Sequence, residues 1–179
     1  MKKIKLITAF CFIALINFAQ NTEWSVTSSS IKFKIKNAGF TVDGTFGGLE
    51  ARIIFDAAKS YSNSIESSID AATINTDNGT RDKHLKKEEY FSVEKFPKIK
   101  LTASTFVKQA DGSFKGYFKL IMKNITKDIV IPFTFVESAN TAIIKGSFTL
   151  NRRDFGVGGS SIIMSDNPTV EIEVKLVKK

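Results

Sequence analysis

The sequence predicts an all-β protein: an eight-stranded antiparallel up-and-down barrel with one short helix between its third and fourth strands. Two observations carry that expectation. Apolar and polar residues alternate through eight separate stretches, as in Ile31-Lys32-Phe33-Lys34-Ile35-Lys36 and Val170-Glu171-Ile172-Glu173-Val174-Lys175-Leu176. Strict alternation gives a strand one dry face and one wet face. No second set of apolar elements is available to cover those dry faces, so they must line a single shared interior.

Ahead of the first strand, residues 1–19 read as an export signal. Lys2, Lys3 and Lys5 form a basic start, Leu6 to Ile16 an apolar run, and Asn17-Phe18-Ala19 a small-residue cleavage end. The run falls short of the roughly 20 residues a membrane-spanning helix needs. Cys11, inside that run, is in the wrong place for a lipidated first residue. Cleavage near Ala19 leaves residues 20–179 as one domain in the periplasm or outside the cell. Cys11 is the chain's one cysteine, so the mature chain has no disulfide or thiolate chemistry. The three leader lysines go too, and the formal net charge falls from +8 to +5. A balance this modest fits solubility and transient contact with an anionic membrane surface better than nucleic-acid binding.

The strands are expected at 31–36, 44–55, 65–74, 97–107, 113–122, 127–136, 141–150 and 169–177. In the second, Phe46 shares a face with Leu49, Ala51, Ile53 and Phe55 only if one residue is skipped, and Gly47-Gly48 supplies a bulge to do so. From Thr80 to Phe91 the β rhythm stops. That stretch has no Gly or Pro and many Lys and Glu, and it follows Asp77-Asn78-Gly79, so a helix starting near Asp77 or Thr80 is expected. Pro97 opens the fourth strand, where a missing donor is tolerated. The fifth strand turns Phe114, Gly116, Phe118, Leu120 and Met122 to one face. The sixth turns Ile129, Ile131, Phe133 and Phe135, and the seventh Ala142, Ile144, Gly146, Phe148 and Leu150. Glycines among these inward positions are expected to leave space beside the phenylalanines.

In an up-and-down barrel, successive connections alternate between the two ends. The connections at 37–43, 75–96, 123–126 and 151–168 therefore share one end, which gathers the helix and the longest loop. The other end has only short connections, so function is expected at the elaborated mouth.

Catalytic signatures are missing. With one histidine, His84, and no mature cysteine, the usual zinc sites and Cys–His nucleophiles are excluded, and no cofactor or metal is expected. Gly156-Val157-Gly158-Gly159 lacks the Lys and helix of a phosphate-binding loop.

Five separated stretches, in order, resemble the YceI-like family of exported polyisoprenoid-binding proteins. They are Trp24-Ser25-Val26 with Ser30-Ile31-Lys32-Phe33; Gly44-Thr45-Phe46; Arg81-Asp82-Lys83-His84-Leu85 with Glu89-Tyr90-Phe91-Ser92-Val93-Glu94-Lys95-Phe96-Pro97-Lys98-Ile99; Leu120-Ile121-Met122-Lys123-Asn124-Ile125-Thr126-Lys127; and Asn151-Arg152-Arg153-Asp154-Phe155-Gly156-Val157. Asn124 stands where the family pattern has Gly, and Asn tolerates the left-handed backbone of a tight turn. The resemblance implies a lipocalin-like barrel that holds an isoprenoid or other long-chain lipid without catalysis.

On that reading the cavity wall comprises Phe33, Phe46, Phe114, Phe118, Ile131, Phe133 and Phe148, and the mouth His84, Arg152, Asp154 and Phe155. Arg152 and His84 either hold a polar headgroup or, with Asp154, tie the helix and long loop over the rim; the second is expected of Arg152. Two alternatives stand against the carrier. One is a filled structural barrel, packed by the phenylalanines outside the leader, thirteen of the sixteen. The other is a small outer-membrane barrel with its apolar face turned to lipid.

Overall fold

The computed structural model describes residues 22–59 and 61–179, so the leader read at 1–19 lies outside the described residues. Eight strands follow in order: β1 Glu23–Asn37, β2 Phe40–Ile54, β3 Ser64–Asn75, β4 Lys98–Lys108, β5 Phe114–Met122, β6 Ile125–Ser138, β7 Thr141–Thr149 and β8 Thr169–Lys178. Helix α1, Gly79–Leu85, lies between β3 and β4, and a 3-10 helix, Arg152–Phe155, opens the connection to β8. Each strand pairs antiparallel with the next, and β8 pairs with β1 to close the barrel.

Alternation sets which way the side chains point. On β5, Phe114, Phe118, Leu120 and Met122 are buried, while Lys115, Tyr117 and Lys119 are exposed. The outer wall carries cross-strand ion pairs such as Lys34–Glu171 at 2.9 Å and Lys119–Asp128 at 3.0 Å. Apolar faces therefore point inward, the reverse of what an outer-membrane barrel requires. No helix among the described residues is long and apolar enough to cross a membrane.

The structure departs from the sequence expectations chiefly in three places, the first being β2, which begins at Phe40 and not at residue 44. β1 begins at Glu23, well before Ile31, because a register shift against β8 between Val26 and Ser28 interrupts the alternation. α1 ends at Leu85 rather than Phe91, and its N-cap is Asn78, whose side chain accepts from the Arg81 N–H at 2.9 Å. Beyond it the chain closes in turns, with Tyr90 N–H donating to Lys87 and Val93 N–H to Lys86. In a continued helix, Phe91 would point about 160° away from Val93. The turns bring Tyr90, Phe91 and Val93 against one apolar cluster at the barrel rim.

The bulge in β2 is present. Gly48 has φ +66°, the pairing with β3 shifts between Thr45 and Glu50, and Phe46, Leu49, Ala51 and Ile53 all face the interior. Lys123 and Asn124 form the two-residue β5–β6 turn, both at positive φ, as type I′ geometry requires.

Candidate functional site

The connections that parity assigns to one end meet there. The Ala38 N–H donates to the Ile163 carbonyl at 2.8 Å, joining the first connection to the last. Gly158 N–H reaches the Glu89 carbonyl at 2.8 Å, joining the last to the segment after α1. Lys123, aimed by its left-handed backbone, donates to the Glu88 and Gly156 carbonyls at 3.0 and 2.6 Å. Burial pushes its ammonium pKa down.

Below this rim lie two cavities, one above the other. The inner one, about 150 Å³, is lined by Leu49, Ala51, Phe118, Leu120, Ile131, Phe133 and Phe148 among others, with Ser67, Ser68 and Lys32 as its polar members. The outer one, about 120 Å³, is bounded by Ile35, Val42, Ile74, Leu85, Tyr90, Phe91 and Met164, with Arg81 and Arg152 at its edge. Phe33, Phe46, Met122, Leu150 and Val170 line both, so the two adjoin along an apolar path from mid-barrel to the mouth that these side chains divide.

Six of the seven residues expected on the cavity wall are there: Phe33, Phe46, Phe118, Ile131, Phe133 and Phe148. Phe114 is not. It sits deeper, 5.2 Å from Phe55 and stacked 5.5 Å from Phe133 by ring centroids, in the aromatic plug at the closed end. The filled-barrel expectation therefore holds at that end and fails above it. The two inward glycines differ. A Cβ on Gly116 would fall 2.3 Å from the Phe118 ring, so that ring fills the space the glycine leaves. Gly146 lines the inner cavity, as expected from the sequence.

The four expected mouth residues part company. Arg152 is 4 % exposed and committed to protein: Nε donates to the Ser165 carbonyl, Nη1 to Val157 and Gly159, and Nη2 to Asp166 Oδ1 at 2.7 Å. It ties the long loop over the rim, as expected, but through Asp166; Asp154 is exposed and takes no part. His84 faces outward, 3.3 Å from Glu89 and edge-on to Tyr90. Phe155, 1 % exposed, is buried rim packing. The residue the sequence reading missed is Arg81. Its Nε and Nη2 donate to the Thr76 hydroxyl and carbonyl, both at 2.7 Å, and it borders the outer cavity. No carboxylate lies within ion-pair distance of it among the described residues. Among those residues, too, no group of acidic, His or Cys side chains is arranged to hold a metal.

Residues 24–177 match the YceI-like domain. The chain belongs to the YceI-like family. Its relatives include a UPF0312 protein of Pseudomonas fluorescens, 30% identical and covering 70% of each chain. A second, from Vibrio cholerae, is 24% identical and covers the whole of both. Among solved structures, the Campylobacter jejuni YceI protein is similar at 27% identity with a TM-score of 0.70, over 77% of this chain and 85% of that one. Burkholderia cenocepacia BcnA shares the fold at TM-score 0.78 and 19% identity, over 82% of this YceI-like chain and 95% of that one. A polyisoprenoid-binding domain from Saccharophagus degradans, implicated in plant cell wall breakdown, shares it at 0.69 and 12%, over 89% and 99%.

Proposed function

We propose that this YceI-like protein binds a long apolar chain, a polyisoprenoid or similar lipid, and acts without catalysis as an exported carrier or sequestering protein. The observation that carries this reading is the pair of adjoining apolar cavities running from mid-barrel to the rim, closed below by aromatic packing. An enclosed apolar void with a few polar groups at one end is the usual form of a lipid site. The polyisoprenoid-binding domain on the same fold supports the ligand class by analogy.

The volumes bear on the ligand's length. Cavities of about 150 and 120 Å³ hold on the order of nine methylene-sized groups at about 30 Å³ each. Burying them yields about 7 kcal/mol at about 0.8 each. Association alone costs about 4 kcal/mol or more, so a ligand confined to these volumes binds weakly. Tight binding calls for a longer chain that moves side chains aside and continues past the rim. Its polar end then lies near Arg81, whose fork suits a phosphate or carboxylate.

Ala51→Phe tests the reading, because it fills the inner cavity from a wall position. The parent, purified from the exported fraction, is expected to release a long-chain lipid on solvent extraction, identified by mass spectrometry. The variant should melt at or above the parent temperature and retain roughly tenfold less lipid, since losing two methylene contacts is worth that much. Equal loading of parent and variant, or an empty parent, would sink the proposal.

A further inference from the structure

Three large apolar side chains project from the mouth instead of packing. Phe40 is 76 % exposed, Ile163 62 %, and Ile162 fully so. Phe40 starts β2 beyond the Ala38-Gly39 turn, and the two isoleucines lie on the loop before β8. Isolated exposed apolar residues are ordinary, and a cluster at one site is not. These two tips form one unit. Besides the Ala38–Ile163 hydrogen bond, Ser165 N–H donates to the Lys36 carbonyl at 2.9 Å, and Asn37 makes a β-bridge with Met164. The loop is also held from inside. Arg152 grips Val157, Gly159, Ser165 and Asp166, and Met164 borders the outer cavity while Ile162 and Ile163 are left outside. A loop fastened this firmly presents its isoleucines as a fixed ledge.

We propose that Phe40, Ile162 and Ile163 are a membrane-docking ledge that seats the barrel mouth on a bilayer containing anionic lipid. Position and charge both favour a bilayer as the occupant. The ledge adjoins the opening of the apolar path, so docking would bring the acyl region of a bilayer beside that opening. Side chains of this kind insert shallowly at the headgroup boundary. On the two tips and the 3-10 helix, Lys36, Arg152 and Arg153 stand against Asp154 and Asp166, and both arginines engage Asp166. Lys36 is exposed, one position from the Asn37–Phe40 pair, and has no carboxylate partner among the described residues. Elsewhere on the rim the exposed Lys83 and Lys87 are matched in number by the exposed Asp77 and Glu94, none of the four in an ion pair among the described residues. The small positive excess adds to an attachment that is mainly apolar. Transfer of ligand through this ledge rests on the lipid-binding reading; docking itself does not.

Co-sedimentation of the mature protein with vesicles tests the ledge, using phosphatidylcholine alone and mixed with phosphatidylglycerol. Binding is expected to both, stronger to the mixture and weakened by salt. Replacing Phe40, Ile162 and Ile163 together by Ser should lower partitioning by more than about 100-fold. Lys36→Gln should remove about fivefold, on the mixed vesicles only. Tyr61→Ser, equally exposed at the far end, should change nothing. An Ile162→Trp reporter should shift to the blue when vesicles are added. No vesicle binding by the parent, or full binding by the triple variant, overturns the proposal. So does a blue shift that follows protein concentration without vesicles, which assigns the ledge to a second copy of the chain. Lipid extraction on the same preparations separates the two readings: protein that docks but carries no lipid defeats the carrier, and loaded protein that ignores vesicles defeats the ledge.

Discussion

The two ends of the barrel are built from different interactions. At the closed end Phe55, with no exposed surface, meets Phe106, Phe114, Phe133 and Phe135 at centroid distances of 4.7–5.7 Å, and Trp24 seals the seam by donating to the Phe55 carbonyl at 2.8 Å. The connections there are short. At the mouth, long connections are held by backbone hydrogen bonds and by cationic side chains donating to backbone carbonyls: Arg152 to three, Lys123 to two, Arg81 to one. Aromatic packing fills space without direction, while a hydrogen bond fixes position and leaves space beside it. The closed end is therefore solid, and the mouth is ordered around a void.

Truncation in the plug should expose that contrast most strongly. Phe55→Ala should cost about 3–5 kcal/mol, because rigid neighbours cannot collapse onto the hole. Phe46→Ala, at a wall already bordering a cavity, should cost about half as much. Urea melts of both proteins check the pair, and equal losses would erase the distinction between the ends.

Next comes Arg152→Ala, at about 3 kcal/mol, since three carbonyls lose their donor and Asp166 keeps only Arg153. As the loop it holds closes the outer cavity, lipids with charged and neutral headgroups should weaken together. Selective loss of the charged lipid would return Arg152 to headgroup binding.

Arg81→Ala should do the opposite. Its links to Thr76 are fewer, so its melting temperature should fall less than that of Arg152→Ala. The preference for an anionic over a neutral headgroup on the same tail should drop by about 1.5–3 kcal/mol. Arg81→Lys should restore part of it, because charge survives without the fork. Titrations with matched lipids decide, and an unchanged preference would remove Arg81 from the site.

How much of this was legible in the sequence follows the same division. Alternation at Phe118, Ile131 and Phe133 placed them inward because a period of two is a local property, and the Gly47-Gly48 skip could be read from phase alone. Depth along the axis has no such signal: nothing in the pattern separates Phe114, in the plug, from Phe118, on the cavity wall. The early part of β1 was hidden because Ser28, Ser29 and Ser30 follow a bulge, which masked the burial of Trp24. At the rim, parity brought His84, Arg152 and Asp154 to one end, but partners depend on three-dimensional reach. Asp154 is the nearer acid in sequence, yet Asp166 is the one within 2.7 Å of Arg152.

The smallest expected effect concerns acid. Each end carries an exposed carboxylate clasp: Glu23 with Lys179 at the closed end, 2.6 Å apart, and Glu88 with Lys95 at the mouth, 2.5 Å apart. Hydrogen bonding to the lysine holds each carboxyl below its ordinary pKa. A carboxyl depressed in the folded state binds its proton more readily when unfolded. Its contribution is therefore complete above the ordinary carboxylate range and fades as pH falls through the lowered folded value. Both clasps are exposed, so the melting temperature should hardly respond to losing either. Local opening should respond instead, because Lys179 N–H also bonds Glu23 across the β8–β1 seam, and the Glu88 carbonyl receives Lys123 at the rim. Glu88→Gln should speed amide exchange at 86–95 near neutral pH and leave the seam unchanged, and Glu23→Gln should do the reverse. Acidifying the parent should reproduce both effects after correction for intrinsic exchange. If either substitution loosens both ends equally, the barrel opens as one unit and the two ends are not independent.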